Sequence, residues 1–518
     1  MRSVAGWFLL VVGLTASCLV APPVVAQSAQ RIVPPDGAVN DQFGVSVAHS
    51  GETLLVGANA HDAAGEDAGA VYFYQQNGTN WDFVQKVLVS EGAPADGFGI
   101  AVAVDGDYAV VGALGDDERA ENAGAVFVYL RENDSWQFLQ KLTADDARAN
   151  DAFGFSVALT DPYLIVGARG ADDKGNSAGA AYIFQRAGAT WVQLPKLTAN
   201  DGTSGDFFGT AVDIDARFAV VGAELAEGEV LGSGAVYVFE NRGLLWLQRD
   251  RLQAADGAFL DQFGAAVSLG ETHILVGARA NDAGAVDAGA AYLFEERADA
   301  FVEAAKLQGA DATANSFFGH SVAMRRGESV FALIGAPGND TAGAEAGAAY
   351  VFEPVDGVWQ QAGQLLPVDN QPESEMGIAV ATADGYALAG SWRDGSAGLE
   401  SGSVFAFDLR NVLTSNTPET TTPNAHAIRL HAPYPNPFSE QVILPGVLAT
   451  FSDVEAKVFD VRGRQVATLM HRQTLQPGRV ELLWDGRDAA GRMQAPGVYF
   501  LVIITASGRQ VVVVAKSS

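Results

Sequence analysis

The sequence predicts an all-β chain: a seven-bladed β-propeller followed by a small immunoglobulin-like β-sandwich. Three observations carry this. A Phe-Gly pair returns every 55 residues, at Phe43-Gly44, Phe98-Gly99, Phe153-Gly154, Phe208-Gly209, Phe263-Gly264 and Phe318-Gly319, with a degenerate seventh, Met376-Gly377, 58 residues on. Each period holds four short apolar or alternating runs separated by turn residues, with no amphipathic helical period between them. Beyond Asn411 a Thr/Pro-rich stretch interrupts the pattern, and a second set of strand-like runs follows it. Self-similarity at a fixed period with four strands per unit is the arithmetic of propeller blades.

The first element, residues 1–26, reads as an export signal. Arg2 opens it, an apolar run spans Val4 to Val20, and Val24-Val25-Ala26 offers a small-residue cleavage site. A lipoprotein signal acylated at Cys18 is the competing reading, but Thr15 stands where such signals usually carry Leu. Cys18 is the single cysteine, so neither an intrachain disulfide nor a cysteine metal cluster can form. No other stretch reaches the ~18 apolar residues of a membrane helix. The mature chain is therefore expected to carry no transmembrane segment and to be a monomer.

Residues 27–410 form the repeat region. In the second unit, Ile100–Val104 and Tyr108–Gly112 flank a turn at Asp105-Gly106, and Ala125–Leu130 and Trp136–Leu142 hinge at Glu132-Asn133-Asp134. The seventh unit stops near Leu409 after three strands. Arg31-Ile32-Val33 precedes Asp41-Gln42-Phe43-Gly44 just as Lys141-Leu142-Thr143 precedes Asp151-Ala152-Phe153-Gly154. The N-terminal strand is thus expected to complete the last blade and remove an open edge. A linear solenoid is the alternative, but it would need distinct capping repeats.

The Phe-Gly pairs, the Gly-Ala step behind each, and strands such as Gly69-Ala70-Val71-Tyr72 together resemble the FG-GAP repeat, the propeller unit of integrin α subunits and many bacterial surface proteins. The resemblance covers roughly residues 31–409. That family often carries a calcium loop between the first two strands of a unit, where spaced carboxylates supply oxygen ligands. Here the same place holds only tight turns, such as Asp105-Gly106-Asp107, Asp161-Pro162 and Gly270-Glu271. The family's calcium sites are not carried over, and no cofactor is expected. Calcium stays open only through loops with adjacent acids, of which Asp116, Asp117, Asp172 and Asp173 are the weak candidates. Asp41, Asp96, Asp151, Asp206 and Asp261, each two residues before Phe, read as turn caps.

Sixty-two acids against 32 bases give a net charge of −30. Such a chain lacks the basic field that nucleic acid or anionic lipid requires, and fits a solvated surface, cations or a salty medium. The seven histidines form no H-E-x-x-H pattern. Gly319-His320-Ser321 looks like part of a hydrolase elbow, but Ala323 stands where Gly is needed, and Ser46 and Ser156 share the serine's slot in other units. Acid pairs such as Asp145-Asp146 read as solvated surface. No catalytic residue is assigned.

Residues 411–427 are a Thr/Pro-rich linker. From residue 428 to 518 short strands return, at Val442–Leu444, Glu455–Phe459, Gln465–Leu469, Val480–Leu483, Val498–Thr505 and Gln510–Val514, enough for a small sandwich. Pro435, Asn436, Pro437, Phe438, Gly463, Gly497, Tyr499 and Lys516 carry a resemblance to the C-terminal sorting domain of the type IX secretion system. The immunoglobulin-like domain of the flagellar hook-capping protein is the alternative. The sorting resemblance implies the type IX machinery as partner and secretion to, or release from, the outer surface of a Gram-negative bacterium. The expected function is binding or adhesion, with an extracellular protein or glycan as ligand. The alternatives are a secreted polysaccharide hydrolase or lyase, and a passive surface-layer component.

Overall fold

The 55-residue period becomes a series of antiparallel sheets in the computed structural model. The structure describes residues 24–26, 29–409 apart from 90–92, 229, 299, 326–329, 370 and 384, and then 428–430, 438–439, 441–448, 452–460, 464–475, 478–488, 491–505 and 508–517. They fall into two compact units, within residues 1–416 and 417–518.

The first sheet runs Ser46–Ser50, Thr53–Ala58, Ala70–Asn77 and Asn80–Val87, its strands adjacent in chain order. Thr53–Ala58 is buried throughout, as its unbroken apolar sequence demands of a strand covered on both faces. Asn80–Val87 buries Trp81 and exposes its neighbours, as an outer strand should. Sheets spanning residues 102–142, 153–193, 208–252, 263–307 and 321–365 repeat the order. The fourth strand of the third sheet is cut to Thr190–Gln193 because Pro195 has no N–H to give the ladder; pairing resumes between Ala181 and Leu197.

The seventh sheet supplies three strands, Val380–Ala383, Tyr386–Ser391 and Ser403–Asp408, and takes its fourth from the chain start. Ala29–Ile32 pairs antiparallel with it, Arg31 opposite Phe405 and Ile32 opposite Val404. The strand begins two residues earlier than the sequence pattern suggests. A further strand was not expected: Val24–Ala26, inside the segment read as a signal, runs parallel to Gly363–Leu365 on the sixth sheet. Residues 1–23, including Arg2 and Cys18, lie outside the described residues.

Glycines fasten each sheet to the next. A Cβ on Gly57 would lie 2.0 Å from the carbonyl oxygen of Gly99 in the following repeat, so no other residue fits. Gly390 stands in the same relation to Gly44, at 1.9 Å, so the seventh sheet packs on the first. Their shared core joins Ile32, Phe43, Leu54 and Val56 to Tyr386, Leu388 and Val404. Serine hydroxyls reinforce the joints: Ser46, Ser156 and Ser321 donate to the carbonyls of Gly99, Gly209 and Gly377 at 2.7, 2.9 and 2.8 Å. Ser321 is thus a structural fastener. Repeated four-stranded sheets packed in this way are consistent with a β-propeller.

The second unit has two sheets. One holds Ile428–Leu430, Val442–Leu448 and Gly478–Trp484; the other holds Gln465–Leu475, Ser452–Asp460, Gly497–Thr505 and Gly508–Lys516. Val442, Leu444, Leu482 and Trp484 of the first share one core with Val454, Val458, Leu501 and Val514 of the second. Residues 411–427, Pro435, Asn436, Pro437 and Gly463 lie outside the described residues, as do His426 and His431.

Candidate functional site

The recurrent aspartates are turn caps. Asp41, Asp96, Asp151, Asp206 and Asp261 are buried, and the Oδ2 of each accepts the N–H of the residue three before it at 2.6–2.8 Å. Burial lifts the carboxyls of Asp96, Asp151 and Asp206 above the ordinary range. Ser316 takes the same role in the sixth repeat, accepting from Thr313 N–H at 3.2 Å.

A second constellation recurs that the sequence reading missed. In the third repeat Lys196 reaches Asp146 and Asp173 and lies 5.7 Å over the Tyr182 ring, while the Tyr182 hydroxyl donates to Asp146 at 3.0 Å. Burial alone would raise the Asp146 carboxyl; hydrogen bonds from Lys196 and Tyr182 outweigh it and hold it below its ordinary value. Lys86 with Asp36 and Tyr72, Arg251 with Asp201 and Tyr237, and Lys306 with Asp256 and Tyr292 repeat the arrangement. In the seventh, Arg31 of the N-terminal strand takes the cation's place, against Asp369 and 5.0 Å from Phe405. The signal was the 55-residue spacing of Lys86, Lys141, Lys196, Arg251 and Lys306.

The calcium candidates are drawn into this scheme. Asp116 and Glu118 converge on the ammonium of Lys141, at 2.7 and 2.6 Å. Asp117 and Asp172 accept the N–H groups of Asn122 and Ser177, at 2.6 and 2.9 Å, and Asp173 pairs with Lys196 at 2.6 Å. Among the described residues no group of three or more His, Cys, Asp or Glu side chains is arranged to hold a metal ion.

The repeats diverge most usefully at the residue after each Gly-Ala step: Asn59, Leu114, Arg169, Glu224, Arg279, Pro337 and Trp392. Five of these come together. Glu224 bridges two guanidiniums, Arg169 at 3.8 Å and Arg279 at 2.9 Å. Arg169 lies 3.9 Å over Phe155; burial depresses its pKa, and Arg279 adds to that. Arg279, Pro337 and Trp392 border one cavity of about 570 Å³ together with His320, Phe317 and Glu375. Gln262 accepts from Arg279 at 2.6 Å, and Glu375 accepts from Trp392 Nε1 at 2.7 Å and from Arg393 at 2.8 Å. His320 is pushed down to about 4, first by burial and then by Arg279, so it is neutral at pH 7. Repeats five, six and seven thus build one polar and aromatic pocket, of a size usual for small-molecule sites.

In the second unit Phe438, Tyr499 and Lys516, three of the residues that carry the sorting-domain resemblance, are buried, while Gly497 is exposed. Phe438 and Tyr499 meet Trp484 edge-on, with centroids at 5.4 and 4.8 Å, and Lys516 is buried beside Gly486. Gly497 starts the strand that carries Tyr499.

Repeated four-stranded sheets, alike in strand order and in their glycine joints, define an all-β repeat protein, consistent with a propeller. The chain belongs to the FG-GAP repeat family, whose model matches residues 27–74, 81–129, 136–184, 191–239, 246–294 and 301–352, more than half of its length. Among solved structures it is similar to PorZ, described as an essential bacterial surface component of the type IX secretion system of Porphyromonas gingivalis. Identity is 13% over 94% of this chain, with a TM-score of 0.42, and the chain spans 60% of that protein's length. No curated protein matches it. Among the described residues, no helix is long and apolar enough to cross a membrane.

Proposed function

We propose that this chain is an exported bacterial binding protein. A closed, seven-bladed propeller presents its loop face to an extracellular ligand, and an immunoglobulin-like C-terminal domain, residues 428–518, directs secretion by a type IX-like route. The observation that carries the binding reading is that Arg279, Pro337 and Trp392, equivalent positions in three successive repeats, border one pocket, with Glu224 and Arg169 of the two preceding repeats joined to Arg279 by ion pairs. Sequence variation at equivalent positions of a repetitive scaffold is what a ligand site needs. Exposed Leu231, Val286 and Leu399, in the loops between second and third strands, add apolar contact area for a partner. The export signal and the sorting motif support delivery to the outer surface. No catalytic residue is assigned: Glu224 is held by Arg169 and Arg279, and Glu375 by Trp392 and Arg393. Screening the purified chain against arrays of glycans and extracellular proteins tests this. Specific capture weakened by Arg279→Ala and Trp392→Ala is expected; a chain that captures nothing on either array overturns it.

A further inference from the structure

We infer that the cavity between repeats five, six and seven is a subsite for a neutral, hydroxyl-rich sugar ring. This rests on the binding reading above and names its ligand class. Trp392 supplies the platform. Its indole N–H is anchored on Glu375, its ring borders the cavity, and no aromatic partner covers it among the described residues. The C–H face of a pyranose packs on such a ring, and Phe317 and Ile378 add apolar surface to the lining.

His320 supplies the demand for a hydroxyl. Burial keeps its imidazole neutral. Nδ1 is buried without a partner, on a residue that borders the cavity. An unpaired ring nitrogen, donor or acceptor, costs free energy that a hydroxyl, able both to donate and to accept, would relieve. Asn315 and Gln262 at the cavity wall add amide groups suited to hydroxyls.

Charge narrows the class. Arg279 shares Glu224 with Arg169, and Glu375 shares Arg393 with Glu400; with Asp287 and Glu345 added, the charged groups of the lining are one base and three acids. A uronate or sulfated sugar would meet repulsion there, whereas a neutral ring would find acceptors for its hydroxyls.

The test is an array of oligosaccharides of neutral hexoses, N-acetylhexosamines, uronates and sulfated sugars, probed with the purified chain. The strongest ligand is then followed by calorimetry. Neutral sugars are expected to bind, with Trp392→Ala and His320→Phe each weakening affinity at least tenfold and Trp392→Phe restoring most of it. The melting temperature of each variant separates a lost contact from a lost fold, and Trp392→Phe covers the case in which Trp392→Ala does not fold. Binding confined to uronates or sulfated sugars overturns the inference, as does affinity indifferent to both residues. Capture of a protein ligand with no glycan bound would also sink it while leaving the binding function standing.

Discussion

The N–H of Phe43 donates to the carbonyl of Ser401 at 3.1 Å, and the adjoining Gly402 lies so near Phe43 that a Cβ on it would sit 2.0 Å from the Phe43 carbonyl oxygen. Phe98 and Gly69 are related in the same way within the chain, with Phe98 N–H donating to Ala68 at 3.0 Å. The joint between the last repeat and the first is therefore built like the joints between neighbours.

A chain trimmed to begin at Gly37 loses Ile32 from the shared core and Arg31 from Asp369 and Phe405. The loss should cost about 3 kcal/mol or more, and lower the melting temperature by roughly 4 °C or more. The exposed Ser403–Asp408 edge should also promote aggregation. Calorimetry and light scattering check this; an unchanged melting temperature would show that the strand is dispensable.

Asp146 links stability to acid. Its folded pKa lies below the unfolded value, so its contribution is complete above the ordinary carboxylate pKa and is lost as pH falls through the folded value. Tyr182→Phe, which removes the hydroxyl bonded to it, should cost about 1 kcal/mol at pH 7. The gap between wild type and Asp146→Asn should close on acidification below pH 4, as urea titrations at several pH values would reveal.

His320 works in a higher window. Its folded pKa of about 4 lies below the 6.5 of an ordinary histidine, so the unfolded chain takes up the proton first. Stability is complete above 6.5 and falls between 6.5 and 4. His320→Phe should flatten that limb of the profile, and a limb of unchanged slope would refute the assignment.

Raising salt should stabilise the first unit gradually by screening its acids, with no divalent preference. Lys141 already occupies the space between Asp116 and Glu118 that a cation would need. A saturable rise in melting temperature with calcium, weaker with magnesium and lost on Asp116→Asn and Asp117→Asn, would instead establish a calcium cage.

Deleting residues 424–518 in a native host should leave the first unit folded but held in the periplasm. Protease accessibility on whole cells reads this directly, and surface exposure of the truncated chain would contradict the sorting assignment.

The repeat was legible because every joint demands the same residues: Gly57 and its equivalents admit no side chain, and Phe43 and its equivalents fill the same buried slot. The strand of Ala29–Ile32 was legible for the same reason, as a displaced copy of a repeated pattern. The pocket was not. A search for periods rewards sameness, and Arg169, Glu224, Arg279, Pro337 and Trp392 share a position while differing in kind. His320 was set aside because it completes neither a zinc pattern nor a hydrolase elbow, and only the fold brings it beside Arg279 and Trp392. The Lys–Tyr–Asp clamps lay within reach of the period, yet their acids come from the loop before each sheet, and only the fold shows which loop meets which strand.

The pairing of Ala29–Ile32 with Ser403–Asp408 also fixes an order of events. Ala29–Ile32 can pair only after some 370 further residues have been made, so the ladder that joins the two ends of the repeat region cannot form early. Closing so long a loop is slow and entropically costly, although the cost grows only logarithmically with length. Until then the Ser403–Asp408 strand has one side unpaired. A chain translocated before that step would travel with its sheets unsealed and complete itself at its destination.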